Sequence, residues 1–165
     1  MAAPASTNIS IRDAGIEDVP ILHALIGELA KYERLEAQFV AEPEQLRRFL
    51  FGDRPVANAI VAELGGEPAG FALYFHTFST FLGLPGLYLE DLYVRESLRG
   101  RGVGRALLRH VAHTAIERGC GRLEWSVLDW NEPAIGFYRE LGARPMGEWT
   151  VYRVAGAALS ELAGS

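Results

Sequence analysis

The chain is 165 residues long, and hydrophobic residues make up 49% of it and charged residues 22%. This length is typical of one globular domain, and the composition excludes extensive disorder. Sixteen Lys and Arg against 21 Asp and Glu give a net charge of −5. A negative chain lacks the basic character of nucleic-acid-binding proteins and is repelled by anionic lipids. The charge therefore argues against both partners and favours cationic ligands.

The cysteine and histidine content narrows the choice of cofactor and compartment. Cys120 is the only cysteine, which excludes a disulfide within the chain and a cysteine-based zinc site and is typical of reducing compartments. The histidines show no metal-ligand spacing, so we expect no metal. Residues 1–8 contain neither a basic start nor an apolar run. We therefore expect a flexible N-terminus there, a single domain over residues 9–165, and a cytoplasmic protein.

Hydrophobic periodicity predicts the secondary structure of the first half of the chain. Apolar residues that alternate with polar ones indicate strands, whereas apolar residues three and four positions apart indicate helices. These patterns predict a strand at 9–12, a helix at 17–33, a helix at 43–51, and a hairpin formed by 57–64 and 69–78. Glycines and a proline in 79–86 predict a loop there.

The second half continues the alternation of strands and helices. The patterns predict a strand at 87–94, a helix from 103 to 119, a strand at 123–127, a short helix that begins after Asn131, a last strand at 149–154, and helical turns at 157–162. This order of elements predicts an α/β fold, in which a mixed central sheet is flanked by helices within one domain.

A glycine-rich segment, RGRGVGR at Arg99–Arg105, lies between a predicted strand and a predicted helix. At such a junction, backbone N–H groups and the helix dipole favour an anion. Gly100, Gly102 and Gly104 would let the backbone approach a phosphate closely, because glycine has no Cβ. The segment therefore predicts a phosphate-binding loop, with a solvated surface loop as the alternative.

The charge and spacing of this segment restrict the kind of phosphate loop. Arg99, Arg101 and Arg105 make it locally basic within an acidic chain. A P-loop needs Gly-Lys followed by Ser or Thr, and a dinucleotide fingerprint needs a third glycine where Arg105 stands. Both motifs are excluded, which leaves a pyrophosphate loop of a different kind.

Two adjacent carboxylates, Glu90 and Asp91, lie in the predicted strand YLEDLYV. Alternation places them on opposite faces, and an internal strand of a mixed sheet is covered on both, so each is expected to be partly buried. Burial raises the pKa of a carboxyl group, as a general base requires. The alternative is that they lie at a wet strand end or pair with an arginine.

The segment Trp130–Ala143 places a helix N-cap, a proline and a Phe-Tyr pair in one short helix. Asn131 is suited to cap the helix. Phe137 has the spacing of a core residue, whereas Tyr138 points about 100° away from it and need not be buried.

Together, these segments resemble the GNAT superfamily of acyl-CoA-dependent N-acetyltransferases, in which an RxxGxG/A loop binds the pyrophosphate of acyl-CoA. The segments ELAKYE, YLEDLYV, RGRGVG, WNEP and the Phe-Tyr pair, with the late Trp149, are similar to the diamine acetyltransferases of the spermidine/spermine type. The likeness spans residues 9–154. It implies a GNAT fold, acetyl-CoA as co-substrate, a small-molecule amine substrate and a homodimer.

The resemblance also implies roles for individual residues. Glu90 corresponds to the general base and Tyr138 to the general acid that faces the leaving thiolate. The residues implied to bind acyl-CoA are Leu92, Tyr93, Val94, Arg99, Gly100, Arg101, Gly102, Val103, Gly104, Arg105, Asn131, Pro133 and Tyr138. The residues implied to bind the amine are Tyr32, Glu33, Glu90 and Asp91.

One segment departs from the diamine acetyltransferase pattern. In that family an acidic residue and a tryptophan precede the YLED strand, but here Phe78–Gly86 reads FSTFLGLPG. The sequence therefore predicts acetylation of a primary amine on a diamine, a polyamine or a lysine-like amino acid. One alternative is acetylation of a protein N-terminus or lysine, which needs an open groove. The lengths of segments 33–39 and 78–86 disfavour it, because they indicate a covered site. The other alternative is a non-catalytic acyl-CoA-binding module.

Overall fold

The computed structural model describes residues 8–165. Its mixed five-stranded sheet carries many of the predicted site residues. The first four strands pair as antiparallel neighbours in chain order, and the fifth pairs in parallel with the fourth. The predicted α/β fold with a mixed sheet is confirmed. The strands are β1 (Ile9–Asp13), β2 (Asn58–Leu64), β3 (Glu67–Ser79), β4 (Leu84–Val94) and β5 (Leu123–Trp125).

Three helices accompany this sheet: α1 (Val19–Tyr32), α2 (Pro43–Phe51) and α3 (Val103–Glu117). The apolar stripe of α1, represented by Leu25, packs with Phe71 of β3 in a buried cluster. Helix α3, which connects β4 to β5, contacts the first four strands. Neighbouring residues of β2 and β3, which point to opposite faces of the sheet, are fully buried. Both faces are therefore covered, which explains why these strands consist of almost continuous apolar runs.

The predicted loop between β3 and β4 is largely wrong, because both strands extend into it. Thr77 pairs with Gly86 and Ser79 with Leu84, which leaves a turn of four residues at 80–83. Gly83 has φ +66° and makes the turn. Pro85 is accommodated because β5 pairs with β4 only from Leu87 onward, so the missing N–H breaks no ladder hydrogen bond on that edge.

The chain divides into two units, of which the first ends at Ser126 and the second is Val127–Ser165. The second unit contains α4 (Glu132–Glu140) and α5 (Ala157–Ala163). The predicted strand at 149–154 is wrong. Val151 and Tyr152 are 82% and 92% exposed, and no strand lies within this unit to complete a ladder with their backbone.

Two expectations about domain organisation stay predictions. The flexible N-terminus at 1–8 lies outside the described residues except for Asn8, whose carbonyl accepts a hydrogen bond of 3.1 Å from the backbone N–H of Gly65. The single domain over residues 9–165 also stays a prediction.

Candidate active site

The structure places the predicted site residues in two groups, one in each unit. In the second unit, Asn131, Pro133 and Tyr138 lie at or within the short helix α4. In the first unit, the predicted residues occupy three neighbouring stretches of secondary structure. These are the end of α1 with Tyr32 and Glu33, the end of β4 with Glu90, Asp91 and Leu92–Val94, and the start of α3 with Arg99–Arg105.

The glycines of the predicted anion loop have the backbone conformation that such a loop needs. Gly100 and Gly102 have φ +74° and +88°, which is the left-handed region that disfavours residues with a Cβ. Gly102 is the N-cap of α3, and no side chain caps the helix there. The first-turn N–H groups of a 15-residue helix are therefore available to an anion. Gly104 lies within the first turn of α3 rather than in the loop.

The arginines of this segment make it basic and are accessible to solvent. Arg99 and Arg101 are exposed, and Arg105 lies half-buried in the first turn of α3. Together with the uncapped helix start, they fit the pyrophosphate of acyl-CoA, since two phosphates carry charge that guanidinium groups and backbone N–H groups recognise.

The strand before the loop has a free edge. Pairing between β4 and β5 ends at Leu89 with Trp125. Over residues 90–94, no described strand pairs with the side of β4 that faces away from β3. Backbone groups on such an edge can bind an extended, amide-containing chain as an added strand. Leu92, Tyr93 and Val94 therefore fit the pantetheine arm of acyl-CoA.

A β-bulge at Glu90 changes the arrangement of the two carboxylates. Leu73 pairs with Asp91 and Tyr74 with Leu89, so Glu90 is an extra residue with no partner on β3. The strict alternation assumed for YLEDLYV breaks at this point. The expected partial burial of Glu90 is therefore wrong, because its side chain is exposed.

Asp91, in contrast, is partly buried and electrostatically coupled to two other carboxylates. Burial raises the pKa of its carboxyl group to about 7, with smaller contributions from the negative charges of Glu90 and Glu33. Burial also raises the pKa of Glu33 above its usual value. These three residues form an acidic group at the junction of α1 and β4, which suits a cationic amine.

Glu28 and Arg95 hold this junction together, and neither was predicted as a site residue. Two nitrogens of Arg95 donate to Glu28 at 3.0 to 3.2 Å, and Nη1 donates to the carbonyl of Pro68 at 2.9 Å. The hydroxyl of Tyr93 also donates to Glu28. Burial and Glu28 together raise the pKa of Tyr93. The feature of the sequence that could have indicated this pair is Glu28, an acidic residue next to the apolar stripe of α1.

In the second unit, the predicted cap of α4 is confirmed. The side chain of Asn131 is buried and accepts a hydrogen bond of 3.4 Å from the backbone N–H of Ala134. Pro133 lies in the first turn, where its missing N–H leaves no helical bond unmade. Tyr138 is half-buried, with its ring centroid 5.4 Å from that of Phe137.

Two further features are absent from the part of the chain that the structure describes. Residues 8–165 contain no cluster of three or more His, Cys, Asp or Glu side chains that could hold a metal ion. No helix among them is long and apolar enough to cross a lipid bilayer.

Comparison with known proteins identifies the family. Residues 24–143 match the model of the acetyltransferase (GNAT) family. A thialysine N-epsilon-acetyltransferase from Bos taurus is 40% identical over 94% of this chain and 98% of its own length. An L-ornithine N5-acetyltransferase from Arabidopsis thaliana is 33% identical over 92% and 86%, respectively. A spermidine/spermine N(1)-acetyltransferase-like protein from Homo sapiens is 31% identical over 93% of this chain and 23% of its own length.

The fold comparison agrees with the family match. An integron cassette protein from the mobile metagenome of V. cholerae superimposes with a TM-score of 0.80 at 29% identity, covering 95% of this chain and 98% of that one. The match extends over both units of the chain. The chain therefore belongs to the acetyltransferase (GNAT) family and is an acetyl-CoA-dependent N-acetyltransferase, as its resemblance implied.

Proposed function

We propose that this enzyme transfers the acetyl group of acetyl-CoA to the side-chain primary amine of a small, lysine-like amino acid. The observation that carries the proposal is the order of three features from the end of α1, along β4, to the start of α3. The acidic group of Glu33, Glu90 and Asp91 is followed by a free strand edge and then by a basic helix start. A cation and a polyanion would therefore bind at adjacent places.

The acidic group supplies the carboxylate that accepts a proton from the amine. A lysine-like amine has a pKa of about 10.4, so only about one molecule in 10³ is unprotonated near pH 7. We assign the proton acceptor to Glu90, as the family resemblance implies. Its exposed position on the bulge leaves it open to a substrate or to a water molecule. Asp91 and Glu33 attract the ammonium group, and Tyr32 is a third amine-site residue implied by the family resemblance.

Acetyl-CoA, when bound, supplies a thioester that the free amine attacks directly, so no nucleophilic side chain is required. The leaving thiolate resembles that of cysteine, with a pKa of about 8.5, and a tyrosine hydroxyl with a pKa of about 10 can protonate it. We assign this role to Tyr138. In the first unit, Leu92–Val94 would hold the acyl-CoA arm and Arg99–Arg105 would hold the pyrophosphate. The family resemblance implies that Asn131 and Pro133 also contact the arm.

The choice of a lysine-like amino acid rests on two observations. Two of the acetyltransferases named above, at 40% and 33% identity, act on thialysine and ornithine, which are amino acids with a terminal side-chain amine. The relative named for spermidine and spermine is 31% identical and is matched over only 23% of its own length. The turn before β4 lacks the acidic residue that would attract the far end of a long polycation. Phe78 and Phe81 of that turn region are exposed and apolar instead. A polyamine is therefore the weaker candidate.

We further propose that the protein is a cytoplasmic homodimer. Support comes from the second unit, in which large apolar side chains are exposed on a segment that forms no strand. Exposed apolar side chains that lie close together in the sequence favour an association surface. Those concerned are Met146, Trp149, Val151, Tyr152, Val154, Leu159 and Leu162. Sedimentation at micromolar concentration should give the mass of two chains, and a monomer would contradict the proposal.

The function is tested by following CoA thiol release from acetyl-CoA with thialysine or a lysine-containing peptide as acceptor. We expect thialysine to be acetylated with the larger kcat/KM, because a free amino acid does not need the open groove that a peptide requires. Preference for the peptide would instead indicate a protein acetyltransferase. Binding of acetyl-CoA with no turnover of any amine would indicate a non-catalytic module.

A further inference from the structure

The side chain of Arg99 is held in place by two tyrosines and a backbone carbonyl. Its guanidinium carbon lies 4.2 Å from the ring centroid of Tyr32 and 5.6 Å from that of Tyr93. Its Nε donates a hydrogen bond of 3.0 Å to the carbonyl oxygen of Val94. Arg99 is thus attached to the end of α1 and to the end of β4 at the same time.

These contacts leave the anion-binding part of the guanidinium available. Within residues 8–165, the two terminal nitrogens of Arg99 donate to no protein acceptor. An arginine uses its planar fork to bind phosphate oxygens, and stacking on an aromatic ring restricts the orientation of that plane. The arrangement therefore presents an oriented pair of donors beside the uncapped start of α3.

The last residue of α1 and its C-cap then have different tasks. Tyr32 contacts an arginine of the anion loop, whereas Glu33 contributes its charge to the acidic group around Asp91. The face of an aromatic ring that a guanidinium covers is not available to a second cation. We propose that Tyr32 is a positioning residue for acyl-CoA binding, which acts by orienting Arg99.

This inference rests on the proposed binding of acetyl-CoA at the loop, but it does not depend on which amine is acetylated. It adds a task to Tyr32, which the family resemblance places at the amine site. The two tasks have separate readouts. Loss of the Tyr32 ring should weaken the binding of CoA through Arg99, whereas loss of an amine contact would raise KM for the amine.

The test measures the dissociation constant of CoA by titration calorimetry, so it does not depend on turnover. A cation–π contact at an exposed site corresponds to about a two- to fivefold change in affinity. We expect Tyr32→Leu to raise the Kd of CoA by about that factor, and Tyr32→Phe, which keeps the ring, to leave it unchanged. In an Arg99→Met background, Tyr32→Leu should have no further effect on the Kd.

The matched kinetic control is Glu33→Gln at the next position. It should raise KM for the amine and leave the Kd of CoA unchanged. The inference is overturned if Tyr32→Leu raises KM for the amine with an unchanged Kd of CoA, or if its effect on the Kd persists without Arg99. If instead the amine panel fails while these Kd changes appear, the proposed substrate is wrong and the role of Tyr32 stands.

A spectroscopic measurement on the unmodified protein covers the case in which Tyr32→Leu does not fold. The ring of Tyr32 should shift the side-chain NMR signals of Arg99 upfield, and Arg99→Met identifies those signals by their loss. We expect the upfield shift to persist when CoA is added, because the terminal nitrogens bind the phosphates while the plane stays on the ring. Disappearance of the shift on adding CoA would overturn the inference.

Discussion

Glu90 and Asp91 are adjacent in β4, but their carboxyl groups lie in different surroundings. The bulge at Glu90 leaves its side chain exposed, whereas Asp91 pairs with Leu73 across the ladder and is partly buried. Burial raises the pKa of Asp91 to about 7. Two neighbouring carboxyl groups in different environments can perform different tasks in one reaction.

The proposed acid and base are tested by substitutions that keep side-chain shape. Glu90→Gln and Tyr138→Phe should each lower kcat by about 10²- to 10⁴-fold, because each removes a proton-transfer group. The Kd of CoA, measured by calorimetry, should change little. Glu96→Gln, a nearby exposed carboxylate with no assigned role, serves as the control and should keep full turnover. A Glu90→Gln enzyme with unchanged kcat would contradict its assignment.

Asp91 should make the protein less stable as the pH rises. Its pKa is raised from an ordinary value of 3.8 to about 7, so the folded protein holds a proton that the unfolded chain releases between these pH values. The free energy of unfolding should therefore fall from pH 4 to pH 7 by at most about 4 kcal/mol. Urea unfolding of Asp91→Asn should show a weaker decline. Parallel pH profiles of the two proteins would contradict this account.

Asp18 should have the opposite effect on stability. Hydrogen bonds from Arg12 lower the pKa of this buried carboxyl group below its usual value, helped by the backbone N–H of Gly15. Its stabilising contribution is present above about pH 4 and is lost as the pH falls further. Asp18→Asn should cost about 1–3 kcal/mol at pH 7 and less at pH 2, in chemical unfolding.

The control for Asp18 is an exposed ion pair in α2. Arg47 and Glu44 lie 3.4 Å apart on the helix surface. Glu44→Gln should change the free energy of unfolding by less than about 0.5 kcal/mol, because surface pairs contribute little. An equal loss in both variants would show that the burial of Asp18 is not the cause.

The anion loop should be sensitive to the conformation of Gly102. A side chain at φ +88° costs about 1–2 kcal/mol, although a Cβ there would meet the nearest side-chain atom, on Ile9, only at an ordinary 3.7 Å. Gly102→Ala should therefore lower the melting temperature and raise the Kd of CoA. Gly136→Ala, in open space within α4, should leave stability unchanged or improve it. Equal effects of both substitutions would contradict the explanation.

Local patterns allowed the sequence to predict much of the fold. The apolar spacing of Leu22, Leu25 and Leu29 predicts α1, because these side chains form the stripe that faces the sheet. The glycines at 100 and 102 predict the loop, because only their missing Cβ atoms allow its conformation. Asn131 predicts the start of α4 for an equally local reason, since a cap bonds to the first turn of its own helix.

The missed features depend on residues distant in the sequence. The bulge at Glu90 exists only in the register of β4 against β3, and no pattern within YLEDLYV shows it. The contact of Arg99 with Tyr32 joins residues 67 positions apart. The segment at 149–154 has the alternation of a strand, but alternation alone does not supply a neighbouring strand.

The most direct test of the central claim compares kcat/KM for lysine-like amino acids with that for a polyamine. Thialysine, ornithine and spermidine are assayed under the same conditions with saturating acetyl-CoA, by thiol release and mass spectrometry of the product. We predict that at least one of the amino acids exceeds spermidine by about tenfold or more, which corresponds to about 1.4 kcal/mol of transition-state binding. A kcat/KM for spermidine above those of both amino acids would contradict the claim.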